Sequence, residues 1–169
     1  MSYPRQLSKG NNNVVVALNE TEVAKIFGTD TRSDIGSEAE KMIFANQVND
    51  LVVKFRRIES DEEPMLVMER LYPYDYRAYD IEQRNLFFEV FVQELTDLHK
   101  AGFIHRDIIR PSAAGGDPFD NVFLTRQGIR LIDVGISALR DNIGLKLFQL
   151  YRQKEQEEIE IFKRYFLQR

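Results

Sequence analysis

The sequence predicts an α+β fold, a small β-rich N-terminal part with one helix followed by a reduced, mainly helical C-terminal part. Three observations predict it. β-Branched runs alternate with turn residues up to Phe27, an amphipathic stretch runs from Asp80 to Lys100, and Asn142 to Gln168 carries large apolar residues among many charges. A chain of 169 residues can bury a real core as one domain or two small lobes.

The elements follow in order. Gly10-Asn11-Asn12-Asn13 is a turn cluster ahead of the strand-like Val14 to Leu18, and Asn19-Glu20 separates that run from a second strand over Thr21 to Phe27. A helix is expected from about Ser33 or Ser37 to Val48, with Ala39, Met42, Ile43 and Phe44 on its apolar face. Two short apolar runs, Leu51 to Phe55 and Met65 to Met68, flank the turn-like Ser60-Asp61-Glu62-Glu63-Pro64. From Asp80 to Lys100, Ile81, Phe88, Phe91, Leu95 and Leu98 recur at helical spacing, and Gly102 stands where a helix stop belongs. Short strands around Val122–Leu124 and Ile129–Ile132 flank a Gln127-Gly128 turn. The remainder reads as a charged helical tail or a broken pair of helices.

Composition excludes several classes of function. The chain has no cysteine, so disulfides and thiolate metal sites are ruled out. A formal net charge of -4 gives no basis for binding nucleic acid. No apolar run approaches the roughly 18 residues of a membrane span, and the N-terminus shows no leader-like apolar run.

The chemistry-bearing residues fall after the long helix. Ile104-His105-Arg106-Asp107 comes first, then Asn121-Val122-Phe123-Leu124, then Leu131-Ile132-Asp133-Val134-Gly135. This order resembles the catalytic machinery of eukaryotic-type protein kinases: H-R-D, an asparagine opening a short strand, then D-x-G after the next strand. Upstream, Leu66 to Leu71 resembles the strand that leads into a kinase hinge, and Val23-Ala24-Lys25 resembles the strand that carries the phosphate-binding lysine.

The resemblance implies a minimal protein-kinase-like domain, an N-lobe over residues 1–70 and a C-lobe over 71–169, binding ATP with Mg²⁺ or Mn²⁺. Asp107 would orient the substrate hydroxyl, and Lys25 would pair with the α- and β-phosphates. Glu40, with Glu38 as the alternative, would be the helix partner of that lysine. Asn121 and Asp133 would hold the metal, although thirteen residues separate Asn121 from Asp107 where the family has four, which leaves Asp117 and Asp120 as substitutes. Adenine would lie among Val15, Val23, the gatekeeper Met68 and the backbone of Glu69 and Leu71, beneath a glycine-rich loop of which only Gly10 is kept. His105 and His99 are expected to be packed residues, and Arg106 a structural donor.

Departures from the family pattern are equally legible. Ile109 stands in the place of the family's lysine, with Arg110 next to it as a substitute for neutralising the γ-phosphate. Val134 replaces the D-F-G phenylalanine. Only 34 residues follow Gly135, too few for an activation segment and peptide-docking helices. In this the chain resembles minimal kinase effectors of enteric pathogens. A serine/threonine kinase, a pseudokinase that regulates a partner, and a Rio/Bud-type or small-molecule kinase all remain open, and a protein substrate or activating protein partner is expected.

Overall fold

The N-terminal strands form a sheet whose central members are buried at consecutive positions and whose first member is exposed. The computed structural model describes residues 2–9, 13–28, 34–60, 63–110 and 117–168. The turn cluster's Gly10, Asn11 and Asn12, and residues 111–116 of the excursion after Arg110, lie outside the described residues, as does Ser33. Strands β1 (Arg5–Lys9), β2 (Asn13–Ala17) and β3 (Glu22–Phe27) join β4 (Phe55–Glu59) and β5 (Met65–Glu69) in an antiparallel sheet of order β1-β2-β3-β5-β4. The β2–β3 turn is closed by the Asn19 side chain, whose Oδ1 accepts from the amides of Thr21 at 2.8 Å and Glu22 at 2.9 Å.

Helix α1 (Ile35–Val48) starts at Asp34, whose side chain accepts from the Ser37 amide at 2.9 Å. Its buried positions are Glu38, Ala39, Met42 and Ala45. Ile43, expected on the apolar face, is instead exposed. Leu51, Val52 and Val53 are fully or almost fully buried because they pair with the C-terminal half. The Leu131 amide donates to Leu51 O and the Val53 amide to Leu131 O, each at 2.8 Å.

The long helix α2 (Ile81–Ala101) is set at both ends by its sequence. Asp80 and Gln83 form a reciprocal capping box, and Gly102 closes the helix at φ 108°, a conformation that favours glycine. Phe88, Phe91, Leu95 and Leu98 form its buried face as the periodicity predicts. Beyond it come β6 (Phe103–Ile104), the β7–β8 hairpin (Val122–Thr125, Gly128–Leu131), β9 (Ala138–Leu139) and a single-turn helix α3 (Arg140–Ile143). After Gly144 the tail is one unbroken helix, α4 (Leu145–Phe166).

Antiparallel pairing of β6 with β9 brings the chain straight back after Gly135, Phe103 opposite Leu139 and Ile104 opposite Ala138. That return lets α4 pack where it does. Phe162 of α4 lies 5.6 Å from Phe91, 5.2 Å from Phe119 and 5.3 Å from Phe166 between ring centroids. Among the described residues, no helix is long and apolar enough to cross a membrane. Truncation at the centre of this aromatic cluster removes both transfer energy and neighbours. Phe162→Ala should therefore lower the unfolding free energy by about 3–5 kcal/mol in urea titrations. A loss below about 1 kcal/mol would mean that α4 does not complete the core.

Candidate active site

β3 presents Val23 and Lys25 to one face of the sheet, since side chains two apart share a face. Lys25 is buried, and its Nζ donates to both carboxylate oxygens of Glu38 at 3.0 Å. It also reaches Asp133 Oδ1 at 3.4 Å. Thus the sheet, α1 and the turn after β8 meet at one ammonium. The expectation of Glu40 as the partner is corrected here: Glu40 is exposed, and Glu38 is the residue turned inward. Two positions along a helix are 200° of rotation, so one of the two must face away. Burial pushes the Glu38 carboxyl above its ordinary range despite the opposing charge of Lys25. Burial acts the same way on Asp133, but Lys25 and the Gly135 amide outweigh it and hold that carboxyl below its ordinary range.

Asp133 takes a positive φ of 59°, which a non-glycine residue holds only when its surroundings impose it. Its Oδ1 accepts from the Gly135 amide at 3.2 Å. Arg106 is the other non-glycine residue at positive φ among those described, at 70°. Its guanidinium stacks 3.8 Å from the Tyr151 ring centroid and donates to Ile136 O at 3.0 Å. It is the structural donor the sequence suggests.

The stretch His105 to Asp107 is held from three sides. His105 is fully buried; its Nε2 lies 2.9 Å from Ile132 O, and its Nδ1 lies 3.3 Å from the Asp107 amide. Both contacts are satisfied together when Nε2 carries the proton and Nδ1 accepts. Ser137 Oγ donates to His105 O at 2.9 Å. From α4, the buried carboxylate of Glu155 accepts from the amides of His105 and Arg106 and lies 2.8 Å from His99 Nε2. Glu158, about one turn on, is also buried, and burial raises its carboxyl above the ordinary range. Neither glutamate is apparent from motifs. The available signal is Glu155's place on the apolar stripe Phe148, Ile159, Phe162 and Phe166, where a charge needs a partner.

Asn121 returns to Asp107 despite the long excursion. Its Nδ2 donates to Asp107 Oδ2 at 2.9 Å and to Asp107 O at 3.1 Å. The excursion is closed by Arg110 N donating to Pro118 O at 2.7 Å. The suggested substitutes are occupied elsewhere: Asp120 pairs with Arg110 at 3.0 Å, and Asp117 accepts from the Phe119 amide at 2.8 Å. The Arg110 guanidinium pairs with Asp120, and among the described residues no hydrogen bond or ion pair joins it to Asp133.

Burial raises the Asp107 carboxyl above its ordinary range, and the nearby negative charge of Asp133 adds to that. Among the described residues, no group of three or more histidine or acidic side chains converges on a metal position. An ionised Asp133 and the remaining acceptor of Asn121, its Oδ1, fit a hard cation that keeps water and takes its other oxygens from phosphate.

On the other side of Lys25, Val23 pairs with Met68 across the sheet, both buried, and Val15 pairs with Lys25. Leu71 packs against the same core. The Glu69 amide donates to Lys54 O at 2.9 Å, and its carboxylate binds the Lys54 amide and Arg130. Of the Glu69 backbone, then, it is the carbonyl rather than the N–H that remains for a ligand.

No protein-family profile and no curated relative matches the sequence. Among solved structures, the protein kinase PK-1 of Cydia pomonella granulovirus is similar, with a TM-score of 0.58 at 18% identity. The match covers 80% of this chain and 53% of that one, so this chain spans about half the length of the viral kinase. The likeness defines a protein-kinase-like fold.

Two stability measurements test the loop's supports. Glu155→Ala leaves two amides and His99 without their acceptor, at about 1–3 kcal/mol for each unsatisfied group, so urea denaturation should show a loss of roughly 3 kcal/mol or more. Glu155→Gln should lose less, and a wild-type midpoint for the alanine variant would contradict the anchoring role. Asp107 runs the other way. Its raised carboxyl contributes stability below the unfolded value, near 3.8, and that contribution is lost as pH rises through the folded value. Asp107→Asn should therefore melt higher than wild type at pH 7, and its advantage should shrink towards pH 4.

Proposed function

We propose that this chain is an ATP- and magnesium-dependent phosphotransferase, a minimal kinase whose acceptor is a serine or threonine hydroxyl of a protein. The observation that carries the reading is the placement of Lys25 between Glu38 and Asp133, in one site with the Asp107–Asn121 pair. Residues 1–70 act as the N-lobe and 71–169 as the C-lobe. Manganese would serve in place of magnesium.

Each residue then has a physical task. Glu38 keeps the Lys25 ammonium oriented, so that the direction it now gives to Asp133 would turn to the phosphates of a bound nucleotide. Val15, Val23, Met68 and Leu71 provide apolar walls for adenine. Asn121 and Asp133 offer the oxygens for the metal, which when bound neutralises charge building on the phosphates. Asp107, held by Asn121, accepts a hydrogen bond from the acceptor hydroxyl and aligns it, its raised affinity for a proton suiting it to that task. Most of the rate enhancement in such chemistry comes from positioning and electrostatics rather than covalent help. Leu147, Leu150 and Ile161 stay exposed on α4 and support a protein partner or substrate docking there.

A second reading has its own support. Ile109 stands where the family's lysine would be, and Arg110 is paired with Asp120, which favours a nucleotide-binding pseudokinase over an efficient enzyme. The two readings separate in one set of measurements. ATP with Mg²⁺ should raise the melting temperature of the wild type. Lys25→Met and Asp133→Ala should each lower phosphoryl transfer at least roughly a hundredfold, and Asp107→Asn should keep the nucleotide-induced shift while losing turnover. A shift without turnover in the wild type would favour the pseudokinase. No shift at millimolar ATP with either metal would remove both.

A further inference from the structure

The turn that carries Asp133 is short and closely held. Only Ile136 and Ser137 separate Gly135 from β9, and the Ser137 amide donates to Val134 O at 3.0 Å. Two cations from different elements take the next two carbonyls. Arg106 of the H-R-D loop donates to Ile136 O at 3.0 Å, and Lys41 of α1 donates to Gly135 O at 3.1 Å.

The Lys41 contact is costly and specific. Its ammonium is partly withdrawn from water and feels the positive charge of Arg106; together with Glu38, Glu40 and Asp34 on its own helix, the balance holds its pKa below the ordinary lysine value, with burial the main cause. Among the described residues, no carboxylate lies within ion-pair distance of Nζ, so the Gly135 carbonyl is its partner. A surface lysine with no task would extend into solvent and avoid that desolvation. Lys41 stands three residues after Glu38, on the same side of α1. The helix therefore grips the Asp133 turn twice, through Glu38–Lys25–Asp133 and through Lys41–Gly135.

We propose that Lys41 is a positioning residue, a fixed latch that locks α1 to the Asp133 turn and keeps the Lys25–Glu38–Asp133 cluster assembled before any nucleotide arrives. The relation of this latch to nucleotide handling rests on the phosphotransferase reading; the latch itself does not. In a chain where β9 follows Gly135 almost at once, the latch does by a direct side-chain contact what a longer ordered segment would otherwise have to do. α1 then sits in its inward position without covalent modification of a loop.

The test begins with the ligand-free protein. Amide hydrogen exchange in Lys41→Met should be faster than wild type by roughly tenfold or more over α1 and residues 134–137, as expected for loss of a hydrogen bond from a charged donor. Lys41→Arg, which keeps a cationic donor, should restore most of the protection. Calorimetric titration with ATP and Mg²⁺ should show weaker binding in Lys41→Met by a similar factor, again recovered by arginine. Unchanged exchange over α1 and residues 134–137 in Lys41→Met would overturn the latch. Uniformly faster exchange throughout the chain would also overturn it, since the lysine would then be a general stabiliser. If the wild type bound no nucleotide, the phosphotransferase reading would fall, while the exchange experiment would still decide the latch.

Discussion

Everything in the site depends on one buried ammonium. Lys25 comes from a strand, Glu38 from a helix and Asp133 from a turn more than a hundred residues further on, and the three meet within 3.4 Å. Neither acid suits that environment alone, because burial disfavours both charges. With the lysine between them, the Asp133 carboxyl is held below its ordinary range, while burial still leaves that of Glu38 above it. A buried ion cluster of this kind is weak support for stability, since desolvation consumes much of the attraction. Under the proposed phosphotransferase reading, the same cluster would meet the phosphates of the nucleotide.

The second constraint is economy of chain. Because β9 follows the Asp133 turn almost at once, the chain returns beside β6, and α4 lies against the H-R-D loop. α4 performs two tasks at once. Its aromatic stripe closes the core through Phe162 and Phe166, and its buried Glu155 receives the amides of His105 and Arg106, next to Asp107. One helix thus links the packing of the core to the geometry of the H-R-D loop.

Much of this was legible in the sequence where local chemistry decides the outcome. The Phe88–Leu98 stripe and Gly102 mark the face and the C-terminal end of α2, and the structure has that helix in the same place. Of the residues expected to share a site, Lys25 meets Asp133 and Asn121 meets Asp107. What was not legible depends on helix phase and distant pairing. Choosing Glu38 over Glu40 needs the rotation of α1, which starts at its Asp34 cap. Glu155 and Glu158 look like part of a solvated, charged tail until α4 is docked. Arg110 next to Ile109 reads as a replacement cation, whereas the fold closes the excursion with Asp120 beside it and pairs the two. Lys41 gives no local signal, because its partner is a carbonyl 94 positions away.

The most direct test of the central claim is a crystal structure with a non-hydrolysable ATP analogue and Mn²⁺, whose anomalous scattering locates the metal independently of the protein. The account predicts a manganese peak bound by Asn121 and Asp133, phosphate oxygens at the Lys25 ammonium, and an intact Lys25–Glu38 pair. A nucleotide bound elsewhere, or a metal peak away from Asp133 with Lys25 still bridging its two carboxylates, would contradict it.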